Sequence, residues 1–170
     1  MKKKMIIICL LSLIFIGYSI VQYRSVNTKA AQFTVVQKKE MFQKAFNMDQ
    51  LHYKFEKPII HSSYIKKYQT QLITYELPFS VMNKTKKNQK INFEQAFAVS
   101  EKLSNQLDHE QFLLKNKDLK DVLNPNQTTQ GTLVFQVSDN GLGTVPSDRV
   151  TFYFYEKQPN KLIKHSLHHE

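Results

Sequence analysis

Four lysines, Lys84, Lys86, Lys87 and Lys90, fall within Asn83-Lys-Thr-Lys-Lys-Asn-Gln-Lys90 with no acid among them. Ammonium groups at that density suit an anionic partner such as teichoic acid or lipid head groups. The same run also suits a solvated hairpin tip whose charges keep strand edges apart. Other reactive residue types are poorly placed. Nucleophilic catalysis needs Ser, Thr or Cys beside a base. The sole cysteine, Cys9, lies in an apolar run, and no Gly-x-Ser-x-Gly is present. Ser62 and Ser63 follow His61, but neighbours on a strand point to opposite faces. His165, His168, His169 and Glu170 gather near the end and read as a solvated tail, while His52 and His109 stand alone. Asp139, Asn140 and Asp148 lack calcium-loop spacing, and there is no Gly-rich phosphate loop. Glu56 and Glu76 read as solvent-facing strand charges. The expectation is a protein without catalytic residues, metal ligands or cofactor, which binds through Lys84, Lys86, Lys87 and Lys90.

Period-two segments must carry that loop. Ile73, Tyr75, Leu77, Phe79 and Val81 alternate strictly with polar residues, which predicts a strand over Gln71 to Asn83 with one face in a core. Pro78 cannot donate a ladder bond, so this strand is expected at a sheet edge, or bulged there. Leu51, Tyr53 and Phe55 define a second strand that closes near Pro58. Leu133, Phe135 and Val137 define a third, and Val150, Phe152 and Phe154 a fourth. A strand is also expected to begin over Phe33 to Val36. Met41, Phe42, Ala45 and Phe46 give an apolar stripe at helical spacing, so a short helix is expected from Lys38 to Phe46.

Other segments stay open. Residues 91–107 fit either a strand or a helix, with Asn92 and Gln95 resembling a capping box. Asp108 to Leu123 is either a helical turn or an irregular connection. Asn124-Pro125-Asn126-Gln127 and Asn140-Gly141 are turn chemistry.

The chain opens Met-Lys-Lys-Lys, then runs without a charge from Met5 to Val21. At about 1.5 Å per residue that run spans roughly 25 Å, the short end for a bilayer core. Tyr23 extends it to an interfacial aromatic, and Lys2, Lys3 and Lys4 predict a cytoplasmic start. The length favours an uncleaved anchor. A cleaved signal peptide is the other reading, with Thr28-Lys29-Ala30 as its site. A lipid anchor does not fit, because Cys9 lies at the start of the apolar run instead of following it. With no later cysteine, the exported part forms no internal disulfide and must be held by its core. Residues 1–31 carry five of the 24 basic groups and no acid, so the other 139 residues hold 19 basic and 14 acidic groups, a balance of +5. That charge suits a cell envelope and is too small and dispersed for nucleic acid.

The last hundred residues resemble a family of uncharacterised bacterial surface domains with an immunoglobulin-like, telokin-like β-sandwich. The resemblance rests on Ile73-Thr-Tyr-Glu-Leu-Pro-Phe-Ser-Val-Met-Asn-Lys84 and Ile91-Asn-Phe-Glu-Gln-Ala-Phe-Ala-Val99. Its most telling part is Leu123-Asn-Pro-Asn-Gln-Thr-Thr-Gln-Gly-Thr-Leu-Val-Phe-Gln-Val137, completed by Val150 to Tyr155. The family usually has Gly where this chain has Asn126, and Asn also tolerates the left-handed region. The resemblance implies a strand over 91–99 and a domain standing behind a signal or anchor.

Together these readings predict a mainly β protein, an antiparallel immunoglobulin-like sandwich behind one transmembrane or signal helix. The expected divisions are a basic cytoplasmic start over 1–4, the anchor over 5–23, and a tether with a possible short helix over 24–50. The sandwich would span 51–158 and a polar tail 159–170. The function expected is a non-catalytic binding module of the bacterial cell membrane with its carboxy-terminal domain outside, or secreted if the signal is cleaved. Its partners would be the membrane, through the helix, and an envelope protein or anionic wall polymer. A structural subunit of a secretion or conjugation machine, and an immunity-type protein, are the alternatives. Helices at 38–48 and 91–107 packed on one curved sheet would favour the machine subunit.

Overall fold

The structure is a computed structural model that describes residues 2–31, 34–67, 69–100, 104–139 and 150–168. It opens with helix α1 (Lys2–Ala31), whose apolar residues are spread around its circumference. Side chains of this helix are described from Ser12 to Val26, and the apolar ones among them are exposed. Among the described residues no helix is long and apolar enough to cross a membrane.

Two sheets form the body. The first, sheet A, has the order β1 (Thr34–Met41), β12 (Lys161–His168), β11 (Thr151–Gln158), β7 (Ala96–Val99) and β8 (Ser104–Gln106). β1 runs parallel to β12, with Thr34 opposite Lys161 and Met41 opposite His168, and the other pairs are antiparallel. The second, sheet B, has the order β10 (Thr128–Asp139), β5 (Thr70–Met82), β3 (Leu51–Phe55) and β2 (Ala45–Met48), all antiparallel. β4 (Ile59–Ile65) pairs with the first half of β5, on the flank where β3 pairs with the second half. A small ribbon joins β6 (Gln89–Lys90) to β9 (Val122–Leu123), and a short helix α2 (His109–Lys115) precedes β9.

The layers meet through aromatic rings. Phe55 of sheet B stacks on Phe154 of sheet A at 4.6 Å, and Tyr75 and Phe135 pack against Phe152 at 6.2 and 5.4 Å. The protein is therefore a mainly β sandwich. The alternation read from the sequence sets its core: every second residue of β5, from Ile73 to Val81, is buried. Burial of such side chains is worth about 1.5–3 kcal/mol each, and their stacking adds to that. The hydroxyls of Tyr53 and Tyr75 are buried without a hydrogen-bond partner among the described residues.

Several expectations need correction. β5 is neither an edge strand nor bulged at Pro78, because β10 lies on one side and β3 and β4 share the other. Pro78 is tolerated because its missing donor faces the seam between β3 and β4, where its carbonyl accepts from Glu56 N–H at 2.9 Å. The stretch 24–50 is no tether: α1 continues to Ala31, and β1 and β2 occupy 34–48. The helix expected from Lys38 to Phe46 is two strands around a turn at Gln43, whose φ is 65° and whose N–H donates to Phe55 O. Its apolar stripe divides, with Phe42 and Phe46 buried and Met41 and Ala45 exposed. The polar tail over 159–170 is instead β12, an interior strand of sheet A that buries Ile163, His165 and Leu167. The described part of 91–107 is strand and turn, and Asn92 closes a turn by accepting from Glu94 N–H. Asn126 does take the left-handed conformation, at φ 61°. The turn expected at Asn140-Gly141 lies outside the described residues.

Candidate functional site

The lysine loop follows β5. Its anchor is Asn83, fully buried, which donates to Lys87 O at 2.8 Å and Leu123 O at 2.9 Å. The Asn83 side-chain oxygen accepts from both the backbone N–H and the hydroxyl of Thr85. Asn83 N–H donates to Gln127 O, and Asn126 N–H donates to Asn83 O, so the turn after β9 braces the loop as well. One amide thus fixes the path of residues 83–87, and the lysines ride on an ordered backbone.

Lys84, Lys86 and Lys87 all lie on this loop, and Lys90 lies on β6. All four side chains are exposed. None of the four has a carboxylate partner among the described residues. Lys84 lies close enough to His52 for its charge to matter. Burial first and the Lys84 charge second hold the His52 imidazole below its ordinary value. Asn47 Oδ1 sits 2.8 Å from His52 Nδ1.

Behind Lys90 opens a cleft of about 430 Å³, lined among others by Asp49, Asn92, Glu94 and Lys157. Asp49 occupies the tight turn between β2 and β3 at φ 49°. Burial, helped by the charge of Glu156, raises its carboxyl above the ordinary 3.8, while His165 opposes that shift. His165, fully buried, stands between two carboxylates, with Nδ1 3.0 Å from Glu40 Oε1 and Nε2 3.4 Å from Glu156 Oε2. Its ring stacks on Phe46 at 5.3 Å. This triad ties β1, β12 and β11 together, which is a structural role for a residue the sequence placed in a solvated tail.

The other candidates separate. The alternation of β12 sends His165 inward and His168 outward, and His169 and Glu170 lie outside the described residues. Ser166 Oγ sits 2.9 Å from His168 Nε2, but the hydroxyl donates to Lys38 O at 3.2 Å. The contact with Lys38 O ties β12 to β1. Among the described residues no group of three or more His, Cys, Asp or Glu could hold a metal ion. Asp139 closes β10, whereas Asn140 and Asp148 fall outside the described residues. Glu76 is not a free solvent-facing charge: Lys115 Nζ reaches its Oε1 at 2.7 Å.

No family model matches the chain, and no curated protein matches it. Solved structures with the same general shape include a functionally unknown protein of Listeria monocytogenes, 12% identical over 66% of this chain and 71% of that one, with a TM-score of 0.48. A secreted protein of Mycobacterium tuberculosis is 11% identical over 76% of this chain and 96% of its own, also at 0.48. An uncharacterised β-sandwich protein of Clostridium difficile is 12% identical over 76% and 95%, at 0.44.

Proposed function

We propose that the protein is an exported, membrane-anchored binding module of the bacterial cell envelope, with an immunoglobulin-like sandwich outside and no chemistry of its own. The observation that carries the reading is the lysine loop: Lys84, Lys86 and Lys87 are exposed on a backbone fixed by Asn83, and Lys90 is exposed on β6. A loop whose backbone is already fixed loses less freedom on meeting a polyanion than a mobile one would. The ligand proposed is an anionic wall polymer such as teichoic acid. Export and anchoring rest on Lys2 to Lys4 followed by the uncharged run from Met5 to Val21. The described apolar side chains of α1, from Leu13 to Val26, are exposed, which leaves them available to a lipid surface. The parallel pairing of the first and last strands within sheet A supports the immunoglobulin-like assignment.

The machine-subunit alternative leans on helices at 38–48 and 91–107, and the described residues of both segments are strand and turn.

Binding of the full chain in detergent micelles to purified teichoic acid tests the ligand. Neutralising Lys84, Lys86, Lys87 and Lys90 to Gln should weaken binding at low salt and flatten its salt dependence. An unchanged affinity and salt slope would remove the loop from the reading. Protease treatment of intact cells should digest the sandwich, and full protection would defeat the outward topology.

A further inference from the structure

Among the described residues, the sandwich has an edge that the chain leaves open. In β5 the carbonyl of Pro78 addresses the β3 and β4 flank, so the even-numbered residues of β5 face that way. Their β4 partners are Ile59, His61, Ser63 and Ile65, opposite Glu76, Thr74, Leu72 and Thr70. The N–H and C=O groups of Ile60, Ser62 and Tyr64 therefore point away from the sheet. Among the described residues no strand lies beyond them. Exposure is high on both faces, at 51% for Ile59, 39% for Ile60 and 64% for Tyr64. Ile59-Ile-His-Ser-Ser-Tyr-Ile65 carries no Asp, Glu, Lys or Arg and no Pro. At about 3.3 Å per residue it offers roughly 23 Å of strand.

Its ends are cationic. Lys57 precedes it and Lys66 and Lys67 follow, all exposed. The nearby carboxylate, Glu76, is already met by Lys115 at 2.7 Å and lies 3.6 Å from His61. These flanks decide between occupants. A second copy laid antiparallel over the whole segment would centre on Ser62 and bring Lys57 of one chain to the end where Lys66 of the other stands, at both ends. Like charges directly opposite destabilise a strand pair. A strand with acidic ends meets the same lysines favourably.

We propose that β4 is a docking edge for an extended segment of a partner protein, apolar in alternation and acidic at both ends, which adds as a strand to sheet B. The partner's backbone bonds to the outward groups of Ile60, Ser62 and Tyr64, and its acids pair with Lys57 and Lys66. This surface is separate from the lysine loop and does not depend on it.

Two synthetic peptides with the same alternating Val and Thr core test this, one ending in glutamates and the other in lysines. Binding to the full chain in micelles is followed by fluorescence anisotropy. The glutamate peptide should bind saturably, and the lysine peptide at least about tenfold more weakly. A copy of the glutamate peptide N-methylated on its backbone should lose binding while the protein is untouched. Ser62→Pro removes an outward N–H together with the hydroxyl that accepts from Gln71 Nε2, and should also abolish binding, whereas Ser62→Ala, which removes the hydroxyl alone, should keep it. Retained binding in the variant with Lys84, Lys86, Lys87 and Lys90 changed to Gln would exclude the loop as the receptor. The proposal is overturned if the glutamate peptide does not saturate, if the methylated or lysine peptide binds equally, if Ser62→Pro binds normally, or if the loop variant loses binding. A dimer of the full chain that Ser62→Pro dissolves would assign the edge to a second copy and overturn it as well.

Discussion

The two flanks of sheet B are treated in opposite ways. Along β10 the outward backbone groups are taken up one after another. Asn116 presents its side-chain amide to Thr132 as if it were a neighbouring strand, accepting from Thr132 N–H at 2.7 Å and donating to Thr132 O at 2.8 Å. Asp108 N–H donates to Val134 O at 2.9 Å, and Asn105 Nδ2 donates to Gln136 O. Along β4 nothing comparable is built among the described residues. The difference follows from the chain available on each side. Residues 104–119 run beside β10 and supply its caps, whereas β4 stands between Pro58 and a tight turn at Lys66–Gln69. Open strand edges invite pairing, so a fold that closes one flank residue by residue and leaves the other bare separates a structural edge from an available one.

The closed flank can be broken at two points. Gly131 is where the cap presses closest: a Cβ there would stand 2.5 Å from Asn116 Oδ1 and 2.7 Å from Phe79 Cζ. Asn116 is held by bonds to Phe112 O and Thr132, so it cannot step aside cheaply. Gly131→Val should cost about 3 kcal/mol, the upper end of ordinary overpacking, read from the urea midpoint of the full chain in micelles. An unchanged midpoint would mean the amide does not sit against β10. Asn116→Ala removes the cap without adding bulk and leaves two backbone groups of Thr132 unpaired. A loss of about 1–2 kcal/mol is expected, with faster hydrogen exchange at Thr132 than at Leu133.

The contrast between flanks also marks what a sequence can disclose. β5 was legible because its burial is purely alternating, and nothing but the apolar effect determines it. β12 was not, because its inward residues include His165, and an inward histidine makes sense only beside Glu40 and Glu156. Those partners are 125 and 9 residues away in sequence. β1 was half legible: Lys38 and Lys39 sit on an exposed edge strand, where charge carries little penalty. β4 went unread because Ser62 and Ser63 interrupt its apolar residues. The lysine loop was visible from composition, whereas its rigidity was not, since that depends on the contact of Asn83 with Leu123, 40 residues on. The caps of β10 lie in a segment whose charge made it look like mere connection.

The open flank should respond weakly to changes in its side chains. Ile60→Lys places a charge on the bare edge at a residue already 39% exposed. Stability should stay within about 0.5 kcal/mol of the parent, because no packed contact is lost. Aggregation on heating, followed by light scattering, should fall, as lysine discourages edge-to-edge pairing. A large loss of stability would mean that β4 packs more tightly than its exposure indicates, and would erase the distinction between the flanks.

The smallest effect belongs to the β2 end of the same flank, at Asp49. Burial and the Glu156 charge raise its carboxyl above 3.8, while the imidazole of His165 pulls the other way. The folded chain therefore prefers the protonated acid. That preference contributes stability fully below pH 3.8, and the contribution is lost as pH rises through the higher folded value. At neutral pH the parent carries a charge that its surroundings disfavour. Asp49→Asn keeps the size and the hydrogen-bonding oxygen, and Asn suits the left-handed backbone at φ 49°. The variant should match the parent in acid below 3.8 and become slightly more stable as pH rises through the folded value, with a constant advantage above it. Urea midpoints for both proteins across that range give the difference directly, and parallel curves would show that Asp49 is solvated in the fold. A gain confined to neutral pH would show that the β2 end of this flank carries an unfavourable charge beside its cleft, whereas on the β10 side the polar groups of Thr132 are satisfied.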